Sequence, residues 1–222
     1  MTQTARRSDK ELQTTVTEEL SYNPSIDPAH LVVLANDGVV TLSGDVASLP
    51  EQHAAKRAAL RVWGVKAVAD DMVVRDPGAY GTKDSEIAEA AAQMLKWAVD
   101  VPSDMVEAGV RNHTITLSGA VNWQYQREAA ARAVMYIEGV TAVANTISLT
   151  ATAPASGAKA AIDAAILRNA QLDSRKINVD VDGPEVTLGG TVRSWAERRQ
   201  AEYVAWEAAG VTSVQNNLTV NS

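Results

Sequence analysis

The chain has 222 residues, 46% of them hydrophobic and 21% charged, and a net charge of −7 at neutral pH, the composition of a folded globular protein of one to three domains. It contains no cysteine, which excludes disulfides, thiolate chemistry and Cys-based metal sites together. The acidic balance works against nucleic-acid binding, which depends on neutralising phosphates, and no stretch reaches the ~18 consecutive apolar residues of a membrane span.

The first ten residues, MTQTARRSDK, hold no apolar run that could serve as a secretory signal core. A cytoplasmic address is therefore expected, or a periplasmic one if a leader has been removed. Leu12, Val16 and Leu20 then recur at spacing four and predict an amphipathic helix. The alternation Leu31, Val33, Ala35 predicts a strand with one buried face. Asp37-Gly38 supplies a turn in which positive φ comes cheaply. The next strand, Val39–Val46 (VVTLSGDV), places Val40, Leu42 and Val46 on one face with Thr41 opposite. A second helix over 49–62 buries Ala55, Ala59 and Val62, and Gly64 suits the left-handed residue that ends a helix. A last strand covers Val68–Val74.

This order then recurs twice without a gap. Val39–Val46 is matched by Thr114–Val121 (TITLSGAV) and Glu185–Val192 (EVTLGGTV), with anchor glycines Gly44, Gly119 and Gly190. Twenty residues after each anchor comes a Gly-Val pair: Gly64-Val65, Gly139-Val140 and Gly210-Val211. The leading helix is matched by Ile87, Ala91, Leu95 and by Ala158, Ile162, Ile166. In the second copy Asp84 and Ser85 read as an N-cap, followed by Glu86 and Glu89. The second helix recurs over 124–137 and 195–208, and the last strand over Val143–Leu149 and Val214–Val220. The expected fold is α+β: three tandem α-β-β-α-β domains over 9–74, 84–149 and 155–220. Two linkers join them, Arg75–Lys83, which carries Pro and Gly and should be flexible, and the shorter Thr150–Pro154.

The pattern V-T-L-x-G-x-V, a small-residue helix, then G-V-x-x-V-x-N-x-[LI]-x-V, resembles the BON domain of bacterial osmotically inducible and nodulation-related proteins. The third copy carries it most fully, in Val186, Thr187, Leu188, Gly190 and Val192, then Gly210, Val211, Val214, Asn216, Leu218 and Val220. The second copy has Asn145 and Ile147 at the matching places, whereas the first has Asp70 and Met72. The resemblance implies a three-stranded mixed sheet packed on two helices in each domain. It also implies a role in envelope maintenance or osmotic stress, with phospholipid binding, chaperone-like action or ion response as family activities.

Chemistry is sparse. Eight positions are identical in all three copies, namely Thr41, Leu42, Gly44, Val46, Ala55, Gly64, Val65 and Val68 with their equivalents. None of them is an acid, a base or a metal ligand. His30, His53 and His113 fall at unrelated places in the repeat, and no His-x₃-His pair, Gly-x-Ser-x-Gly elbow or phosphate-cradling glycine loop occurs. The expectation is a protein that is not an enzyme, without metal or cofactor. It would instead be a binding or scaffold module touching a protein partner or an anionic phospholipid surface, the alternative being a small-ligand or monovalent-cation sensor held between domains.

Charge and aromatic residues suggest where contact occurs. The first two copies carry ten acidic against five basic residues and eight against four, while the third is nearly balanced at eight against seven. In that third copy Arg193, Trp195, Arg198, Arg199 and Trp206 lie on or beside one helix and form the expected partner- or lipid-binding surface. Leu60, Met135 and Trp206 occupy one repeat position on the outer flank of the second helix and form the expected inter-domain contact.

Overall fold

The computed structural model describes residues 8–75, 81–102, 104–151 and 155–221. Most of the first linker and residues 152–154 of the second lie outside the described residues. The chain divides into two compact units, one containing the first domain and the other, Thr82–Asn221, containing the second and third.

The first domain shows how the sequence builds each copy. Helix α1 (Asp9–Tyr22) starts at Ser8, whose hydroxyl accepts from the Glu11 amide while Glu11 reaches back to the Ser8 amide. Strands β1 (Leu31–Asn36) and β2 (Val39–Val46) form an antiparallel hairpin. Its two turn residues, Asp37 and Gly38, have φ of 50° and 83°, as a tight hairpin requires. Helix α2 (Leu49–Arg61) then crosses back, and β3 (Ala67–Val74) pairs parallel to β2, leaving β2 in the centre of a three-stranded mixed sheet. Leu12, Val16 and Leu20 of α1, Val40, Leu42 and Val46 of β2, and four alanines of α2 close one core between helices and sheet.

The second domain repeats the order with α3 (Asp84–Trp97), β4 (Val106–Arg111), β5 (Thr114–Val121), α4 (Gln124–Val134), β6 (Ala142–Asn145) and β7 (Ser148–Leu149). The third does so with α5 (Ala158–Arg168), β8 (Ile177–Asp182), β9 (Glu185–Val192), α6 (Trp195–Trp206), β10 (Ser213–Asn216) and β11 (Thr219–Val220). The fold is therefore α+β with three tandem domains.

The anchor glycines explain themselves. A Cβ at Gly44, Gly119 or Gly190 would lie 2.0–2.1 Å from the carbonyl oxygen of His30, Met105 or Lys176, and φ is +116°, +124° and +110°. No side chain fits, and no L-residue adopts that backbone without strain.

Three expectations need correction. The last strand is continuous only in the first domain; in the others it breaks after Asn145 and Asn216. There the asparagine oxygen turns back to accept from Ile147 or Leu218, and its nitrogen is drawn to a helix carbonyl. Asp84 is not the N-cap of α3, a position held by Lys83. Its carboxylate instead accepts from the amides of Asn112 (2.8 Å) and His113 (3.0 Å) at the β4–β5 turn, as Asp9 does for Asp37 and Gly38. The second helices also stop early, at Arg61, Val134 and Trp206, so the Gly-Val glycines, all at positive φ, turn the chain just beyond the helix.

Candidate functional site

The unit holding the second and third domains contains a cleft between the start of α4 and the end of α6. Its construction begins with the way each second helix is capped. Ser48 and Ser194 precede α2 and α6, and their hydroxyls accept from the amides of Glu51 and Glu197. The same place before α4 is filled by Trp123, with the same extended backbone but no hydroxyl to offer. The start of α4 is secured from the other side, where Gln126 Oε1 accepts from the amides of Asn122 and Trp123, both at 3.1 Å. Glu51 and Glu197 reach back in the same way, to the amides of Ala47 and Arg193. This three-fold clamp escapes a search for identical residues because Gln126 replaces a glutamate.

Released from capping, Trp123 forms part of the cleft wall with Gln124, Tyr125 and Glu128. The facing wall comes from Tyr203, Trp206 and Glu207, three and four residues apart and so on one side of the helix end. The cleft has a volume of about 400 Å³. Tyr125 and Tyr203 stand 48% and 50% exposed at its rim. Trp206 is half-buried and rests on the core of its own domain. Gln124 Nε2 donates to Glu128 Oε1 at 3.0 Å, while Gln124 Oε1 is buried without a hydrogen-bond partner. Among the described residues no basic side chain lines the cleft, and the charged members of the wall are Glu128 and Glu207.

Of the residues expected from sequence, the structure brings Trp206 into this cleft and distributes the rest. Trp195 and Trp206 occupy opposite ends of α6, about 16 Å apart along the axis at 1.5 Å per residue. Arg193 pairs with Glu197 at 2.8 Å. Arg198 stacks on Trp195, its guanidinium carbon 5.3 Å from the ring centroid, and donates to the Leu218 carbonyl at 3.1 Å and to the Asn216 carbonyl. Arg198 thus serves its own domain, and Arg199 is left exposed. Leu60 and Met135 are half-buried. Met135 lies past the far end of α4 from the cleft and is not part of its wall.

Sequence reading did not pick out Trp123, Tyr125 and Tyr203 as site residues because it placed the contact surface on the arginine-bearing start of the third copy's second helix. Their equivalents are Ser48 and Ser194, Pro50 and Ala196, and Arg57 and Arg132. The available signal was an aromatic gained by a single copy where the others have small or polar residues.

Among the described residues no group of three His, Asp or Glu side chains is placed to hold a metal ion, and no helix is long and apolar enough to cross a membrane. Comparison with known proteins finds osmotically-inducible protein Y of Escherichia coli (strain K12), 30% identical over 143 residues, which are 61% of this chain and 71% of that protein. Two solved structures of CdsD, a structural protein of the type III secretion system of Chlamydia trachomatis, cover 95% and 100% of this chain. They cover 92% and 100% of their own chains, each at 13% identity and a TM-score of 0.27. The family model of the BON domain matches residues 8–76, 83–151 and 155–222, and so the chain belongs to the BON domain family.

Proposed function

We propose that this chain is a non-enzymatic binding module whose second and third BON domains present the α4–α6 cleft to a ligand. The observation that carries this reading is the cleft itself, with two tryptophans and two tyrosines converging on one concavity at the join of two domains. Clefts between domains, lined by rings with a few polar groups, are where small ligands settle. The name of the Escherichia coli relative supports placing the binding event in a response to osmotic stress. Glu51, Asp84 and Asn216 each hold the scaffold of their own domain through hydrogen bonds to backbone groups.

A ligand in the cleft must touch Trp123 and Trp206, so it should change their fluorescence and raise the melting temperature by mass action. The test is a screen of inorganic cations, metabolites and anionic phosphatidylglycerol vesicles against the full chain, followed by Trp123→Ala and Tyr203→Ala. Binding that both variants abolish supports the proposal. Binding to vesicles that survives both variants and follows Arg199→Glu instead would move the function to the exposed arginine end of α6.

A further inference from the structure

The chemistry of the cleft wall selects among ligands more sharply than its shape. Aromatic rings present a negative face to whatever lies against them, and tryptophan presents the strongest. The two charged side chains in the wall, Glu128 and Glu207, are both carboxylates. Arg132 Nη1 stands 3.6 Å from Glu128 Oε2, one turn further along α4 and outside the cleft wall. The helix ends do not reverse this character. The start of α4 contributes a partial positive charge and the end of α6 a partial negative one, so the two offset each other and the side chains decide.

Gln124 adds a second, independent observation. Its Oε1 is a buried acceptor without a donor, while its Nε2 is held by Glu128. Exchanging the two ends of the amide would set its oxygen against the Glu128 carboxylate, so the assignment stands on repulsion. The terminal torsion of a glutamine is soft. Because Gln124 lines the cleft, rotation about that torsion would free Glu128 Oε1 and let the amide oxygen meet a donor carried by a ligand. A ligand carrying two or more N–H groups on a positive centre satisfies both oxygens at once. An anion finds no cationic side chain among the described residues of the wall, and it meets two carboxylates.

We infer that the cleft binds a small organic cation of the alkylammonium or guanidinium class. Its N–H groups bond Gln124 Oε1 and Glu128, and its alkyl part lies between Trp123, Trp206 and the two tyrosines. The volume of about 400 Å³ suits a free molecule of this kind, falling in the range of ~300–1,000 Å³ typical of small-ligand sites. This inference rests on the cleft being the binding site, and it adds the charge and donor character of the ligand.

The test uses the full chain and matched probes: n-butylguanidinium, n-butylammonium, the neutral isostere butylurea, and butyrate. Binding is read by tryptophan fluorescence. Butylguanidinium should saturate the signal and bind at least about tenfold tighter than butylurea, with butyrate silent. Glu128→Gln and Gln124→Ala should each weaken butylguanidinium by about tenfold while the melting temperature stays within a few degrees. Equal binding of butylguanidinium and butylurea overturns the cation assignment and leaves the cleft as the site. Binding that ignores Glu128→Gln, Gln124→Ala and Trp123→Ala alike overturns both. A capped Gly-Arg-Gly peptide that binds far tighter than butylguanidinium overturns the small-molecule source and assigns the cleft to a partner's side chain. Absence of binding by every cationic probe at ~10 mM, a concentration at which even weak sites fill, overturns the inference.

Discussion

Asn216 and Arg198 hold each other through their backbones. Asn216 Nδ2 donates to the Arg198 carbonyl at 3.2 Å, and the Arg198 guanidinium donates to the Asn216 carbonyl. The exchange fastens the break between β10 and β11 to the first half of α6. In the second domain Asn145 Nδ2 donates to the Arg127 carbonyl at 2.7 Å. In the first, Asp70 has no N–H to give. There Gln52 donates to Asp70 Oδ1 and to the Met72 carbonyl, and the strand runs on unbroken.

Asn145→Asp and Asn216→Asp should therefore each destabilise the chain by about 1–3 kcal/mol, since a part-buried carbonyl loses its donor and a carboxylate is set against it. Asp70→Asn in the first domain should shift stability by about 0.5 kcal/mol or less, because Gln52 already makes the tie. Urea unfolding of the three variants decides the point; equal effects at all three positions would contradict it.

The same geometry changes the forecast for the arginines of α6. Viewed from sequence, Arg198 and Arg199 are equivalent surface cations. The structure spends Arg198 on the Leu218 and Asn216 carbonyls and on the Trp195 ring and leaves Arg199 exposed. Arg198→Glu should lower stability by about 1–3 kcal/mol, and Arg199→Glu by less than about 0.5 kcal/mol. A thermal melt of the two single variants checks this. Identical melting temperatures would mean that the Arg198 bonds contribute nothing.

Asp84 makes a prediction about pH. Its carboxyl is held below the ordinary 3.8, first by the hydrogen bond from the His113 amide and then by the Asn112 amide and the nearby His113 charge, against some desolvation. A carboxyl with a depressed folded pKa contributes stability above its unfolded pKa. That contribution begins to fall as pH drops through about 3.8 and is gone below the depressed folded value. The β4–β5 turn should therefore loosen in acid, with faster amide exchange at Asn112 and His113 than at the β5 centre. Asp84→Ala should produce the same loosening at neutral pH and remove this part of the pH dependence. The third domain supports the assignment. It has Ala155 at this position, and its turn carries Pro184, which has no N–H, where His113 donates in the second.

The fold was legible because it depends on what the copies share. Val40, Leu42 and Val46 and their equivalents are buried as alternation requires, and Gly44, Gly119 and Gly190 sit where no Cβ fits. Asp84 was misread because a carboxylate at a helix start suits both an N-cap and a clamp on a distant turn, and only the tertiary structure chooses. The broken last strand was hidden in Asn145 and Asn216, which read as family signature rather than as donors to a helix. The cleft was illegible for a different reason. Its walls come from two domains about 80 residues apart in sequence, at positions where one copy departs from the others, and the proximity of Trp123 to Trp206 follows from domain packing that no local pattern encodes.

Trp123 provides the sharpest test of whether the cleft is functional or incidental. It occupies a helix N-cap with φ −135° and ψ 144°, close to the values at Ser48 and Ser194, so a serine fits there without strain. A serine would accept from the Gln126 amide, a cap of the kind that contributes about 1 kcal/mol. Against this stands the loss of a half-buried indole, whose contact with the cleft walls contributes a similar amount. The two effects should nearly cancel. Trp123→Ser should leave stability within about 1 kcal/mol of the parent while abolishing cleft-dependent binding. Urea unfolding and probe titration on the same preparation give both numbers. A loss of more than about 2 kcal/mol would mean that the indole is present for packing and that the missing cap is compensated there. Unchanged stability with unchanged binding would remove Trp123 from the site. Only preserved stability with lost binding is what a side chain retained for a ligand predicts.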